Sequence, residues 1–155
     1  MAAGYVILVS VDGAFASAVD GERLGAVARR VLESEGAEAC ELSVTVTDDD
    51  TVRRLNREYA GEDEVTDVLS FSQREGEAFV GGESLLGEVI VSYPQALRQS
   101  SGQALRQAKG DVGREVERLL VHGVLHLLGY DHADTAEAGA MREREERLLA
   151  GDAAD

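Results

Sequence analysis

Apolar residues recur along this chain with two spacings, and each spacing predicts a different kind of element. A period of two is clearest in CELSVTVT (40–47), where the alternation predicts a strand with one buried face. Three further segments have the length and apolar content of strands: YVILVS (5–10), VTDVLSFS (65–72) and LLGEVIVS (85–92). The sequence therefore predicts four strands, and GEAFVGG (76–82) is typical of a hairpin or loop between the last two.

A helical period occupies much of the rest of the chain. In 21–35 and 111–128 the apolar residues repeat every three to four positions, which predicts two amphipathic helices. Further helices are predicted over about 134–149, from Pro94 to about Lys109, and from the capping residues Asp48–Asp50 to about Tyr59. Because strands come early and helices dominate late, we expect an α+β fold in which helices cover a small sheet.

Composition narrows the class of protein. The 155 residues, of which 44% are hydrophobic, predict a single globular domain over 1–155. No apolar run approaches the roughly 20 residues of a membrane helix, so we expect no membrane association. The N-terminal apolar run has no basic region and is interrupted by Asp12, which favours a first strand over a signal peptide. Cys40 is the sole cysteine, which fits a reducing compartment such as the cytoplasm.

The net charge of −15 limits how this chain could bind nucleic acid. Phosphate contacts usually come from a basic surface, so any basic patch on this protein has to be local. The best candidate is one predicted helix that carries three arginines, Arg53, Arg54 and Arg57. Such a patch is more often a solvated face, but in an acidic protein it is the best candidate for a local contact with nucleic acid.

All three histidines lie in one short run, VHGVLHLLGYDH (121–132). His122 and His126 are four residues apart, so on a helix they lie on one face, one turn apart. Gly129 is placed to end that helix and let the chain turn back, which brings His132 toward the same point. The spacing therefore predicts three imidazole ligands around one metal ion.

Ligand chemistry favours zinc at this site. Three neutral nitrogen ligands suit zinc, although nickel or copper would also accept them. Three protein ligands leave a fourth position open, which is typical of catalytic rather than structural zinc.

One residue argues against a protease. The spacing of the histidines matches that of the metzincin proteases, in which a glutamate follows the first histidine and acts as the general base. Here that position is Gly123, so the ligand frame is present without the base.

These segments resemble the YbeY family of metal-dependent endoribonucleases. HGVLHLLGYDH is similar to the family's histidine motif, and three other segments agree with it in order: LNREYAG (55–61), TDVLSF (66–71) and LLGEVIVS (85–92). The resemblance implies a small mixed sheet and a zinc ion held by His122, His126 and His132. It also implies cleavage of single-stranded RNA, in maturation of the 3′ end of 16S ribosomal RNA and in ribosome quality control, together with ribosomal or small-subunit assembly partners.

The chain departs from the family pattern at one position with chemical consequences. The family has an arginine directly before the glycine of its Y-R-G stretch, and this chain has Ala60 there. Arg57, three residues earlier on the same predicted helix, could reach the same region and is our candidate replacement. If it does not replace that group, Arg57 is an ordinary solvated arginine.

Four other polar residues could support the site. Asp131 could hold the second nitrogen of an imidazole or simply form a turn. Asp67 and Glu88 could border the cleft, although ordinary strand carboxylates are the more common case, and Ser70 could contact phosphate or hydrogen-bond within the sheet.

Two other classes of function remain open at this point. One is a metallohydrolase of peptides or small molecules, which would have to work without a base at Gly123. The other is a non-catalytic ribosome-assembly factor whose zinc stabilises the fold, which Ala60 and the acidic charge favour.

Overall fold

Four strands form one mixed sheet. The structure, a computed structural model, describes residues 4–72, 85–103, 110–130 and 135–154. The strands are β1 (Tyr5–Val11), β2 (Cys40–Thr47), β3 (Val68–Ser72) and β4 (Leu85–Ser92), in the order β1-β2-β4-β3. The first three in that order run parallel, and β3 pairs antiparallel with β4 at the edge. The expected α+β fold with a small mixed sheet is confirmed.

Five α-helices accompany this sheet in the part of the chain that the structure describes. They are α1 (Gly21–Ser34), α2 (Asp49–Leu55), α3 (Tyr93–Gln103), α4 (Gly110–Leu127) and α5 (Thr135–Ala154). The predicted helix that continued to Tyr59 is α-helical only as far as Leu55 and goes on as a π-helical turn, Asn56–Ala60. The predicted hairpin over 76–82 and the end of the helix predicted up to Lys109 lie outside the described residues.

Helices pack on both faces of the sheet, although Val6 and Leu8 of β1 stay exposed on one of them. Alternate residues of β2, which include Leu42, Val44 and Val46, are fully buried in the main core against α1 and α4. On the opposite face a smaller apolar cluster joins Val52 of α2 to the edge and inner strands. Helix α4 packs on α1, α3 and α5 as well as on β3 and β4, so its residues have fixed positions relative to the edge strand.

The start of α2 is fixed by a capping hydrogen bond. The Asp48 carboxylate accepts a hydrogen bond of 2.8 Å from the Thr51 N–H, which caps α2. Hydrogen bonds from the Thr51 side chain and from this N–H lower the pKa of Asp48. Within the described residues, the structure contains no helix long and apolar enough to cross a membrane.

Candidate metal centre

Helix α4 places two histidines side by side. His122 and His126 lie one turn apart, and their ring centroids are 4.7 Å apart in an edge-on arrangement. After Leu127 the chain leaves the helix through Gly129, whose φ of 108° favours glycine. The N–H of Tyr130 bonds the Leu125 carbonyl at 3.0 Å, which closes the helix end as the sequence predicted.

The two histidines border a cleft between α4 and the edge strand. The cleft has a volume of about 460 Å³. Its described lining on the other side comes from β3 and the residues just before it, namely Thr66, Asp67, Val68, Leu69, Ser70 and Ser72. An extended chain could therefore lie along β3 and meet both imidazoles.

A glutamate from α5 contacts His122. The Glu145 carboxylate lies 2.5 Å from the His122 Nδ1, and the Glu145 side chain is 9% exposed, while the His122 side chain is 24% exposed. A carboxylate accepts hydrogen bonds, so the contact requires Nδ1 to carry the proton. No sequence motif identifies Glu145, because it lies 23 positions from His122 along the chain.

The backbone at Gly123 is in tight contact with the sheet. A Cβ at this position would lie 2.7 Å from the Val89 Cγ1 and 3.0 Å from the Ser70 Oγ. The Ser70 hydroxyl donates a 3.1 Å hydrogen bond to the Gly123 carbonyl. Ser70 therefore bonds α4 rather than a neighbouring strand, and position 123 faces the sheet instead of the cleft.

A second groove lies on the other side of His122, between α4 and α5. It has a volume of about 390 Å³, and its described lining includes Arg118, His122, Arg142 and Glu145. Arg118 precedes His122 by one turn, and its guanidinium donates two hydrogen bonds, of 2.6 and 3.2 Å, to the buried Glu115. This pairing raises the pKa of Arg118 and fixes a cation near His122.

The arginines of the predicted basic patch are paired with carboxylates. Asp63 accepts a hydrogen bond of 2.7 Å from Arg53 and lies 3.8 Å from the Arg57 guanidinium. Arg54 lies 3.9 Å from Glu58. Arg57 is exposed, and it is not one of the described residues that line the cleft or the groove. Its predicted role stays a prediction.

The other candidate residues do not all line the cleft. Asp67 lines the cleft, and its carboxylate accepts a hydrogen bond of 3.0 Å from the Gln99 side chain, which ties it to α3. Glu88 lies on β4 opposite Phe71 and is not among the residues that line the cleft. Asp131 and His132 lie outside the described residues.

The described part of the centre is chemically suited to a transition metal. Within the described ranges no three His, Cys, Asp or Glu side chains come together as a ligand set, so the described candidate ligands are the two imidazoles. Two adjacent imidazoles, one of them hydrogen-bonded to a carboxylate, form a donor set that suits zinc. His132 would have to complete it.

Comparison with known protein families gives one consistent result. The family described as Endoribonuclease YbeY matches residues 14–151. Among relatives of that name, the protein of Pelotomaculum thermopropionicum is 45% identical over 129 residues, which are 79% of this chain and 79% of the relative. That of Moorella thermoacetica is 42% identical over 142 residues, or 84% of this chain and 88% of the relative. That of Chloroflexus aurantiacus is 39% identical over 151 residues, or 94% of each chain.

A solved structure agrees at the level of the fold. The solution structure of TM1509 from Thermotoga maritima superimposes with a TM-score of 0.59 and covers 93% of this chain and 87% of the other. Its sequence identity of 23% means that it supports the arrangement of strands and helices alone.

Proposed function

This chain belongs to the YbeY family of endoribonucleases, and on that premise we propose that it cleaves single-stranded RNA with the help of a zinc ion. The single observation that carries the proposal is the pair His122 and His126 at the edge of the cleft beside β3. In this proposal His122, His126 and His132 hold the metal. Zinc would supply a Lewis acid at the scissile phosphate and activate water near neutral pH.

The chain's own residues then have separate tasks. The RNA backbone lies along β3, with the scissile phosphate next to the two imidazoles. The cleft is bordered by one strand on one side and one helix on the other, an arrangement that suits a single extended chain. Asp67, bonded to Gln99, fixes the wall of the cleft where β3 begins.

A cation is needed to offset the charge that develops on the phosphate. The arginine that the resemblance associates with this task is replaced by Ala60, and two residues are candidates to supply it. Arg57 is close in sequence but lies next to Asp63, whereas Arg118 lies one turn before His122 and is oriented by Glu115. Arg118 lines the groove on the other side of His122 and is not among the described residues that line the cleft. It would therefore act on a phosphate bound at His122, and we assign it the cationic role there and assign Arg57 a peripheral RNA contact.

The cellular substrate follows from the family. We propose the precursor of 16S ribosomal RNA, cleaved near its 3′ end, with a further part in ribosome quality control. The partners would be the small ribosomal subunit and its assembly proteins. The site of action would be the cytoplasm, which also fits a chain with a single, buried cysteine.

The metal part is tested by elemental analysis of purified wild-type protein and His126→Ala. We expect about one zinc ion per wild-type chain and a large loss in the variant, because one imidazole ligand is removed. Arg147→Ala, an exposed change on α5, serves as the control. Full zinc content in His126→Ala would reject the proposed centre.

The RNA part is tested on a single-stranded fragment of the 3′ end of 16S precursor RNA and on the same fragment annealed into a duplex. We expect cleavage of the single strand, loss of cleavage with a chelator, and its recovery when zinc is added. His126→Ala controls for contaminating nuclease, since cleavage that persists in it cannot come from this site. Zinc that raises the melting temperature without any cleavage by wild type would instead support the assembly factor.

A further inference from the structure

We propose that Glu145 is a positioning residue that holds His122 in the Nδ1–H tautomer, so that Nε2 is the nitrogen presented to a divalent transition-metal cation. This inference rests on the proposed metal centre and names the residue of this chain that prepares one of its ligands. Glu145 lies on α5, 23 positions from His122 along the chain, so the fold rather than the local sequence brings the two together.

Because Glu145 is buried, its carboxylate needs a hydrogen-bond partner. It is 7% exposed, and glutamate is rarely buried unless it is paired. The cations around it have other contacts: Arg118 donates to Glu115, and Arg144 donates to Glu35. The hydrogen bond that the structure gives Glu145 joins its Oε2 to the His122 Nδ1 at 2.5 Å.

This bond determines which nitrogen can coordinate a cation. An imidazole that donates from Nδ1 has Nε2 as its acceptor, and Nε2 lies on the opposite side of the ring. His122 lines both the α4–α5 groove and the cleft beside β3. With Nδ1 held at the groove side by Glu145, the opposite edge of the ring is directed away from α5.

The negative charge of Glu145 also strengthens the binding of a metal cation by His122. A carboxylate behind an imidazole makes the ligand more basic and compensates part of the charge of a divalent cation. Replacing Glu145 with glutamine preserves the size and an acceptor oxygen but removes that charge. Glu146 is the matched control, because it is the next residue on α5, lines the same groove and is exposed.

The test compares zinc affinity among wild type, Glu145→Gln and Glu146→Gln by competition with a chelator at fixed pH. Outer contacts of this kind are typically worth about 10- to 100-fold in metal affinity. We therefore expect zinc to dissociate from Glu145→Gln with a constant 10- to 100-fold above that of wild type, and from Glu146→Gln with an unchanged constant. Equal constants for the two variants would overturn the proposal.

A second measurement needs no mutation. Long-range ¹H–¹⁵N spectra of the metal-free wild-type protein report the tautomer of each imidazole, and we expect His122 in the Nδ1–H form. The Nε2–H form would overturn the proposal even if Glu145→Gln failed to fold. Wild-type protein that binds zinc and cleaves RNA, with no difference between the two variants, would reject the role of Glu145 alone. Wild-type protein that binds no zinc would instead reject the proposed function.

Discussion

The Ser70 hydroxyl and the Gly123 carbonyl are joined by a 3.1 Å hydrogen bond across the interface between β3 and α4. This bond holds the histidine-bearing turn of α4 close to the edge strand. The approach is possible because residue 123 has no side chain, since a Cβ there would lie 2.7 Å from Val89 and 3.0 Å from Ser70. A glutamate cannot occupy this position without moving the helix away from the sheet. The structure thus gives a steric reason for the absence of the protease base.

Gly123→Ala should therefore destabilise the protein, although alanine is the better helix former. Overpacking of a filled interface typically costs about 1–3 kcal/mol, and we expect a loss of that size in urea unfolding. Gly113→Ala is the control on the same helix. Its Cβ would meet nothing within 4 Å, so we expect a gain of up to about 1 kcal/mol. Gains at both positions would show that the close contact at 123 does not exist.

Tyr130 should make stability depend on alkaline pH. Its hydroxyl donates a 2.8 Å hydrogen bond to Glu35, and that bond, together with burial, raises the pKa of Tyr130 in the folded protein. The stabilisation is therefore complete below the ordinary tyrosine value of about 10 and is lost as pH rises through the folded value. We expect Tyr130→Phe to cost about 1 kcal/mol at pH 8.

The measurement is urea unfolding of both proteins at pH 8 and above pH 10. The difference between them should shrink at the higher pH, because only wild type loses the bond there. Tyr59→Phe, at an exposed site, should change stability little at either pH. A difference for Tyr130→Phe that is the same at both values would contradict the assignment.

Asp49 should contribute to stability at neutral pH and stop contributing in acid. Burial alone would raise the pKa of its carboxyl, but hydrogen bonds from Ser92, Arg98 and Gln95 outweigh it and lower the pKa. Since the folded pKa lies below the ordinary value near 3.9, the stabilisation is present above that value and is lost as pH falls through the folded one. Asp49→Asn should cost about 1–3 kcal/mol at pH 7.

Asp50→Asn is the matched control, because Asp50 is exposed and follows Asp49 in the first turn of α2. Unfolding by urea at pH 7 and pH 3 should show the cost of Asp49→Asn falling in acid, while Asp50→Asn has little effect. Equal costs for the two variants at pH 7 would mean that the bonds from Ser92 and Arg98 do not stabilise the fold.

Much of the fold could be predicted from periodicity. The alternation over 40–47 gave β2 with correct ends, because one face of that strand is buried and the other is not. Prediction was less accurate at the ends of elements. Residues 65–67 look like the start of a strand, but β3 begins at Val68. Before it, the Asp67 carbonyl accepts a hydrogen bond from the Ser92 N–H, and the Asp67 side chain accepts one from Gln99. The helix predicted up to Tyr59 widens into a π-helical turn after Leu55.

Only the part of the candidate site that lies within α4 could be predicted from the sequence. His122 and His126 are one helical turn apart, so the sequence alone places them together. Glu145 comes from a distant helix, and no spacing rule connects it to His122. One signal was present: Met141, Glu145 and Leu148 recur at helical spacing, and all three are buried. A glutamate on an apolar stripe indicates a buried partner, but it does not say which one.

The kinetics of two variants can decide whether Arg118 or Arg57 supplies the catalytic cation. Arg118, one turn from His122, donates two hydrogen bonds to Glu115, whereas exposed Arg57 lies next to Asp63. We expect Arg118→Gln to lower kcat/KM on single-stranded RNA at least about tenfold, because an oriented charge near the phosphate is lost. Arg57→Gln should mainly raise KM, and more at low salt than at high salt.

The control for stability in this experiment is the double variant Glu115→Gln, Arg118→Gln. Arg118→Gln alone leaves the buried Glu115 charge without its guanidinium, which can destabilise the fold, whereas the double variant removes both charges. If Arg118 acts on the phosphate, the double variant regains stability but not activity. Recovery of activity along with stability would make Arg118 a structural residue. A larger loss of kcat in Arg57→Gln than in the double variant would assign the cationic role to Arg57.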